Sequence, residues 1–323
     1  MGLQELEPSQ YILVKTLMGA TAAAHLSIEA VMTRNAEGSI VVDDVAEPKF
    51  AILDGPEGTY LIARDGLSEE LELAVAAHLA DWTYLHLACE TPISKSALPN
   101  QHVLLHRRLV FSLPVINIAP PSLPEGYVLE RADGFGHRIK CGGIEVARCL
   151  PDVVVNERAE IGVWTHPGHR RRGLAGVALR ATLNAAHESG IRSIGWHCHA
   201  SNKGSIALAR SVGAGDPVHS CAFSASLPAE NGSDLSVEEW IRLAEHFEAG
   251  RDEIVWLGFH AACAWSAAGR QDEALRATER LVEDGWQGQT DWLTGHWALA
   301  QLAEHSRMQR AIARLKMQRA PSE

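Results

Sequence analysis

The order of apolar and polar positions divides the chain into an α/β part and an all-helical part. Up to about residue 227, short alternating or continuous apolar runs stand between turns rich in glycine and proline, a pattern typical of strands and helices that share a sheet. From Leu235 onward, helix-forming residues dominate. We therefore expect an α/β (α+β) fold followed by a C-terminal all-α segment, with Pro228–Ser233 as the boundary.

The first 112 residues have the pattern of helix, hairpin, helix and strand. The predicted elements are one helix or two short helices over residues 10–34, strands at Lys49–Leu53 and Thr59–Ala63 around the turn DGPEG, a helix that begins after Ser68, and a strand at Thr83–Ala88.

A second series of strands follows a stretch that contains four prolines, residues 113–124, which we interpret as a linker or a wrapped strand. The predicted elements are strands at Tyr127–Glu130, Gly136–Cys141, Ile144–Val155 and Glu160–Thr165, a helix over 174–188 with an apolar stripe, a short strand over 191–198, and a last strand at Val218–Phe223.

A turn crowded with positive charge joins the strand that ends at Thr165 to the helix over 174–188. It contains Arg170, Arg171, Arg172 and Gly173, in the pattern Q/R-x-x-G-x-G/A. The first N–H groups of a helix have no intrahelical partner, and the helix dipole adds to their attraction for an anion. Because Gly173 lets the backbone approach closely, the turn is a candidate cradle for a pyrophosphate. The alternative is a solvated basic turn.

This turn resembles the acetyl-CoA signature of the GNAT N-acetyltransferase superfamily. A second block supports the resemblance, because Asn202, Ser205, Ala209 and Gly213 have the spacing N-x-x-S-x-x-x-A-x-x-x-G. The similarity covers roughly residues 109–226. It is closest to a bacterial subgroup that carries RRLVF and LPEGY upstream, here at Arg107–Phe111 and Leu123–Tyr127.

The resemblance implies a GNAT fold, a mixed and strongly bent sheet flanked by helices, over residues 113–227. Residues 1–112 would then form an N-terminal α/β region that resembles a degenerate GNAT half without the phosphate turn, and residues 234–323 a helical domain. The implied activity is transfer of an acetyl group from acetyl-CoA, as cosubstrate and without a metal, to a primary amine of an unidentified acceptor by direct attack. The residues implied to bind acetyl-CoA are Val163, Trp164, Thr165, Arg170, Arg171, Arg172, Gly173, Leu174, Ala175, Asn202 and Ser205.

The resemblance also implies a general base on the strand that contains Glu160, with Glu157 as the rival if the register differs. A carboxylate that only borders the strand is the structural alternative for Glu160. In many family members, a tyrosine four residues before the glycine that closes this block acts as the general acid and protonates the departing thiolate. The residue at that position here is Ala209, so the general acid is unassigned. Arg131–Phe135 is too short for the two acceptor-binding helices of the family, so the acceptor wall must come from the N-terminal region, the C-terminal region or a second subunit.

His197, Cys198 and His199 form the other candidate constellation. Ligands at i and i+2 of a strand can bind zinc, but no further His/Cys cluster stands at a suitable spacing. We therefore expect no metal, and a relay of the acyl group through Cys198 is equally disfavoured.

The C-terminal helices contain one segment, Glu253–Leu281, that resembles a tetratricopeptide unit with Gly269 at its helix turn. A second pair, at about 290–303 and 305–317, matches less well. One repeat cannot bury its own apolar face, so we expect a packed helical cap. Six of the nine tryptophans lie between Trp240 and Trp297, and we expect most of them in the core.

The composition of the chain limits the kinds of partner and the cellular location that we expect. A net charge of −11 argues against general nucleic-acid binding. No apolar run reaches the ~20 residues that span a bilayer, and no signal peptide is evident. Six cysteines without C-x-x-C spacing suggest free thiols and a cytoplasmic location. A non-catalytic CoA-binding module, with the C-terminal helices as an interface for a protein partner or a homodimer, is the alternative to an enzyme.

Overall fold

The computed structural model describes residues 2–64, 66–79, 86–89, 98, 101–115 and 119–319. Its contacts divide the chain into two units. The first unit is Met1–Ala74, Leu87–Ile93 and Arg107–Ala222, and the second is Val75–His86, Ser94–His106 and Phe223–Glu323. This division differs from the predicted boundaries at 112 and 234, because it groups two segments of residues 75–106 with the C-terminal helices. The predicted domains stay predictions.

Twelve strands within the described residues form one mixed sheet. They are β1 (Gln4–Glu5), β2 (Ser39–Val42), β3 (Phe50–Gly55), β4 (Gly58–Ala63), β5 (His86–Cys89), β6 (Leu104–Leu113), β7 (Tyr127–Arg131), β8 (His137–Cys141), β9 (Ile144–Val155), β10 (Arg158–Thr165), β11 (Ser193–His199) and β12 (Val218–Ser224).

The helices are α1 (Gly19–Ala24), α2 (Leu26–Met32), α3 (Glu69–His78), α4 (Leu174–Glu188), α5 (Lys203–Arg210), α6 (Val237–Gly250), α7 (Val255–Ala267), α8 (Gln271–Glu283), α9 (Thr290–Gly295) and α10 (Ser306–Gln318). Short 3₁₀ turns lie at Pro8–Val14, Pro167–His169, Gly232–Asp234 and Ala300–Leu302. Among the helices that the structure describes, none has both the length and the apolar character needed to cross a bilayer.

The strand order is β1-β2-β3-β4-β5-β12-β6-β11-β10-β9-β8-β7. The arrangement of a strand, a helix and a second strand parallel to the first occurs twice in the chain. It is formed by β4, α3 and β5, and again by β10, α4 and β11. The next strand after each of these units lies beside the other unit. Thus β6, which follows β5 in the chain, pairs with β11, and β12, which follows β11, lies beside β5. This order agrees with the expectation that residues 1–112 resemble a second GNAT half, which stays a prediction.

Most predicted elements are confirmed, with ends that differ by one to three residues. The hairpin β3–β4, the strands β7 to β12 and the helices α3 and α4 all form near the predicted positions. A strand was predicted at Thr83–Ala88, and the structure has β5 at His86–Cys89; residues 83–85 lie outside the described residues. The strands β1, β2 and β6 were not predicted.

One face of β8 to β11 packs against α4. The apolar stripe of this helix, with Leu174, Val177 and Ala178, is buried in one cluster with Ile161 of β10 and Trp196 of β11. Full burial of such a large apolar side chain stabilises the fold by about 1.5–3 kcal/mol. The packing therefore fixes the N-terminus of α4 close to the end of β10.

The opposite face of β9 and β10 is covered by α2. Leu26 and Ala30 of this helix are buried against Val153 and Val155 of β9. Glu29 of the same helix forms an ion pair with Arg158 of β10. The N-terminal region thus provides helical cover on this face of β9 and β10.

The second unit is built around α7, which packs against both α6 and α8. This helix is apolar on nearly all sides, as expected for a helix that is enclosed by neighbours. The predicted capping box of Ser236 and Glu239 forms at the start of α6, and Gly269 has φ +74° between α7 and α8. Trp240 is 0% exposed, as predicted for most of the tryptophans. The resemblance to a tetratricopeptide repeat stays a prediction.

Gly250→Ala tests how tightly the segment before β6 packs in the second unit. A Cβ at Gly250 would lie 2.5 Å from His102 Cβ and 2.7 Å from Leu257 Cδ1. We expect a loss of about 1–3 kcal/mol in the free energy of unfolding, measured with urea. Gly295→Ala is the matched control, because a Cβ there meets no atom within 4 Å. Equal stability of the two variants would contradict the packing.

Candidate active site

Two parallel strands part at the centre of the site. β10 and β11 pair only from Arg158–Glu160 with Ser193–Gly195. Beyond that point β10 continues to pair with β9 as far as Thr165, and β11 with β6 as far as His199. In the ladders that the structure describes, residues 161–165 thus have no partner strand on the β11 side. The gap exposes backbone polar groups that an extended ligand with amides can bind.

The predicted acetyl-CoA residues Val163, Trp164 and Thr165 form one wall of this gap. Thr165 Oγ1 is buried and has no hydrogen-bond partner among the described residues. The Arg148 guanidinium lies 5.1 Å from the centre of the Trp164 ring, a cation–π contact that fixes the end of β10. A buried hydroxyl without a partner is an expected feature of a wall that binds a polar ligand.

The arginine-rich turn begins directly after this wall. Arg170 donates from Nε to the Thr165 carbonyl at 3.3 Å. Arg171 and Gly173 both have left-handed backbones, with φ +62° and +77°. A Cβ at Gly173 would meet no protein atom within 4 Å, so the space in front of it is open. Because α4 begins at Leu174, the N–H groups of Leu174 and Ala175 have no carbonyl of a preceding turn to bind, whereas the Gly176 N–H donates to the Gly173 carbonyl.

Tyr127, which sequence reasoning did not select as a site residue, braces the turn. Its hydroxyl lies 2.9 Å from His169 Nδ1 and accepts a hydrogen bond from Arg172 at 3.1 Å. The ring also contacts His169 edge to face. The only sequence signal that could have marked Tyr127 as a site residue was its place in the LPEGY motif. The contacts hold the Arg172 guanidinium in one orientation beside the turn.

The predicted residues Asn202 and Ser205 lie at the start of α5. Asn202 Oδ1 caps the helix by accepting from the Ser205 N–H at 2.8 Å. Ser205 Oγ accepts a hydrogen bond from Trp196 Nε1 at 2.9 Å. Asn202 therefore stabilises the start of α5, and Ser205 ties this helix to β11, the second strand of the gap.

Glu160 is the last residue of β10 that pairs with β11, and it lies on the face covered by α2. Its side chain fits because residue 195 is a glycine: a Cβ there would lie 2.9 Å from Glu160 Cγ. Glu160 Oε1 accepts a hydrogen bond from the Leu26 N–H at 2.5 Å and lies 3.3 Å from His197 Nε2. Burial alone would raise the pKa of Glu160, but His197 and the Leu26 N–H together lower it below its ordinary value. Glu160 is therefore held as a carboxylate.

Aromatic rings surround this carboxylate. The His25 ring lies 4.8 Å from the His197 ring and 5.0 Å from the Tyr60 ring. Burial, with the neighbouring His197, lowers the pKa of His25 to about 3, so His25 is neutral near pH 7. Burial and the charge of Glu160 raise the pKa of Tyr60 and keep its hydroxyl protonated. Uncharged groups from the N-terminal region thus enclose one charged group from β10.

A cavity of about 420 Å³ adjoins Glu160 on the same face. Its walls come from α1, α2, β6, β10 and β11, and they include Leu26, Val110, Ser112 and Gly195. The size and the mixed lining suit a small organic molecule.

Glu157, the rival base, lies apart from this cluster. Its carboxylate is 60% exposed and forms an ion pair with Arg192 Nε at 2.8 Å in the turn before β11. The structure therefore brings Glu160, but not Glu157, to the point where the strands part.

The His-Cys-His segment of β11 divides between the two faces of the sheet. His197 lies beside Glu160, whereas Cys198 is buried in the apolar cluster under α4. Within the part of the chain that the structure describes, no three His, Cys, Asp or Glu residues are grouped as a metal site.

Comparison with known proteins finds that the central segment is similar to one family. Residues 129–214 match the family model described as GNAT acetyltransferase. A Bacillus subtilis protein named "Uncharacterized N-acetyltransferase YdfB" is 25% identical over 252 residues, which are 65% of this chain and 94% of that protein.

One of two similar solved structures supports a shared fold. A GCN5-related N-acetyltransferase-like protein from Streptococcus suis superposes with a TM-score of 0.50 at 16% identity, over 67% of this chain and 98% of that chain. A GCN5-related N-acetyltransferase from Sphaerobacter thermophilus gives 0.46 at 17% identity, over 69% and 94%. Through the family model and the curated relative, the protein is identified as an enzyme of the N-acetyltransferase class, and its residues 129–214 match the GNAT acetyltransferase model.

Proposed function

We propose that this enzyme transfers the acetyl group of acetyl-CoA directly to a primary amine. The observation that supports the proposal best is the continuity of the gap and the turn. The parting strands β10 and β11 lead straight into the arginine-rich turn at the N-terminus of α4. One ligand that carries amides in its arm and phosphates at its end fits both features.

The residues present suit acetyl-CoA. The first-turn N–H groups of α4, with Arg170, Arg171 and Arg172, offer donors and positive charge for its phosphates. The open space before Gly173 leaves room for them. Along β10, Val163 to Thr165 offer backbone donors toward the gap, which suits the pantetheine arm and the polarisation of a thioester carbonyl. When bound, acetyl-CoA supplies an activated acetyl group.

The acceptor amine is proposed to enter on the α2 face. Glu160 supplies a fixed negative charge at the end of the paired strands, and the adjoining cavity offers space. A primary amine near pH 7 is almost wholly ammonium, because its pKa is ~10.4. A carboxylate at this place attracts the ammonium, and a proton must leave before the nitrogen can attack.

An amine panel tests the activity. We expect release of free CoA thiol from acetyl-CoA with at least one member of a panel made of spermidine, free lysine, an aminoglycoside and a lysine-containing peptide. The thiol is followed with a chromogenic disulfide, and the acetylated amine by mass spectrometry. Binding of acetyl-CoA without turnover for the whole panel would favour a non-catalytic CoA-binding module.

Gly173→Val tests the phosphate cradle. The branched side chain would enter the open space before α4, and φ +77° is unfavourable for it. We expect the Kd for acetyl-CoA, measured by calorimetry, to rise at least about ten-fold, which corresponds to the loss of one charge-assisted hydrogen bond. Gly173→Ala, which carries most of the backbone strain with little bulk, should bind more tightly than the valine variant. Unchanged affinity of Gly173→Val would refute the cradle.

Glu160→Gln tests the acceptor side. The amide preserves the shape and removes the charge that meets the ammonium. We expect kcat/KM for the amine to fall by about 10²-fold or more, a typical loss for an essential acid–base or charged group. The Kd for acetyl-CoA should stay within two-fold, roughly the error of such comparisons. Glu157→Gln is the control and should keep the wild-type rate. A wild-type rate for Glu160→Gln across pH 6–10 would remove Glu160 from the acceptor site.

A further inference from the structure

Two glycines on the parting strands each leave a space that a carboxylate fills. Gly195 of β11 leaves space for Glu160, as described above. Gly162 of β10 leaves space for Asp152: a Cβ at Gly162 would lie 2.6 Å from Asp152 Oδ2 and 2.9 Å from Oδ1. The sequence pattern I-G therefore occurs once on each strand, and in both places it admits an acidic side chain from a neighbouring strand.

Asp152 reaches this place because of an irregularity in β9. Glu160 pairs with Val153 and Ile161 pairs with Pro151, so Asp152 is the extra residue of a β-bulge. Gly162 follows Glu160 by two positions, so the two residues share a face of β10. The Asp152 carboxylate thus occupies the position that a side chain at 162 would take, next to Glu160 and just where β10 and β11 part.

The two carboxylates have opposite environments. Glu160 is 8% exposed and bound at Oε1 by the Leu26 N–H, so protonating it would disrupt a buried hydrogen bond. Asp152 is partly enclosed by its neighbours but keeps access to solvent. A proton taken up by Asp152 can pass to water, whereas one taken up by Glu160 would be enclosed beneath α2.

Charged groups on four elements act on Asp152. Partial burial and the carboxylates of Glu57 (β3–β4 turn) and Glu160 (β10) raise its pKa to about 6, against opposing effects of Arg148 (β9) and His197 (β11). From α2, His25 faces Glu160 and is uncharged. Two neighbouring carboxylates whose pKa values are driven apart are the usual sign of divided acid–base roles.

We propose that Asp152 is the general base that takes the acceptor's proton, while Glu160 holds the ammonium in place as a permanent charge. This inference rests on the proposed function. The ammonium gives one proton to the Asp152 carboxylate. The amine nitrogen then forms the C–N bond to the acetyl carbon, and the C–S bond breaks with its electron pair on sulfur. The second nitrogen proton neutralises the CoA thiolate, and Asp152 releases its proton to water.

The test compares pH profiles of kcat/KM, from pH 5 to 10, with the amine of the panel that the wild-type enzyme acetylates fastest and with saturating acetyl-CoA. The wild type should gain activity as pH rises through about 6, where Asp152 loses its proton. Asp152→Asn should lose about 10²–10⁴-fold at pH 7, the usual contribution of a general base. Its remaining rate should increase about ten-fold per pH unit, because only the free amine reacts, and the fraction of free amine grows in that way below its pKa.

Two further variants separate this role from a structural one. Gly162→Ala places a methyl group where the Asp152 carboxylate lies, so it should lower kcat in the same pH-dependent way while Asp152 itself is retained. Glu160→Gln should lower kcat/KM by a factor that stays constant with pH, because it removes a charge and not the base. Circular dichroism and the Kd for acetyl-CoA should be unchanged in all three, and Glu157→Gln again serves as the control.

The outcomes distinguish the two levels of the proposal. If the wild type acetylates no amine, the proposed function fails and this inference fails with it. If the wild type is active but Asp152→Asn keeps its rate and its rise near pH 6, only the assignment of Asp152 is overturned. A loss in Asp152→Asn that high pH does not relieve, together with relief in Glu160→Gln, would transfer the base role to Glu160.

Discussion

The hydrogen bond between the Leu26 N–H and the Glu160 carboxylate joins the start of the chain to the parting strands of the GNAT segment. A buried carboxylate without partners is strongly destabilising, and so is a buried N–H at the start of a helix. Here the N–H donates to the carboxylate, so neither group is left without a hydrogen-bond partner. The ion pair of Glu29 with Arg158 adds a second link one turn along α2. The N-terminal region therefore contributes directly to the surroundings of Glu160, at the point where β10 and β11 part.

Local features of the sequence were sufficient to predict the elements that form the proposed cofactor side. The strand before Thr165, the left-handed glycine at 173 and the apolar stripe of α4 are all encoded by neighbouring residues. Helix ends and tight turns depend on hydrogen bonds over three or four positions, so a pattern in the sequence reveals them. The helix cap at Asn202 is of the same kind.

The surroundings of Glu160, the proposed acceptor side, depend on residues that are far apart in the chain. His25, Tyr60 and Asp152 approach Glu160 only after the strands have taken their register, and the position of Asp152 depends on one extra residue in β9. No spacing rule reveals a bulge before the partner strand is known. The same limit explains why β6 was not predicted, and why residues 75–86 and 94–106 were not expected in the unit of the C-terminal helices.

The position of β12 between two strands that come much earlier in the chain has a consequence for synthesis on the ribosome. Because β12 lies between β5 and β6, the sheet stays interrupted until residues 218–224 have emerged. Contacts between such distant parts of a chain form late, since a long loop must close first. In the interval, β5 and β6 each carry an uncovered edge, the kind of surface that pairs with other nascent chains. A slow stretch of translation after residue 113 would prolong that exposure, so the yield of folded protein depends on how quickly the last strand follows the earlier ones.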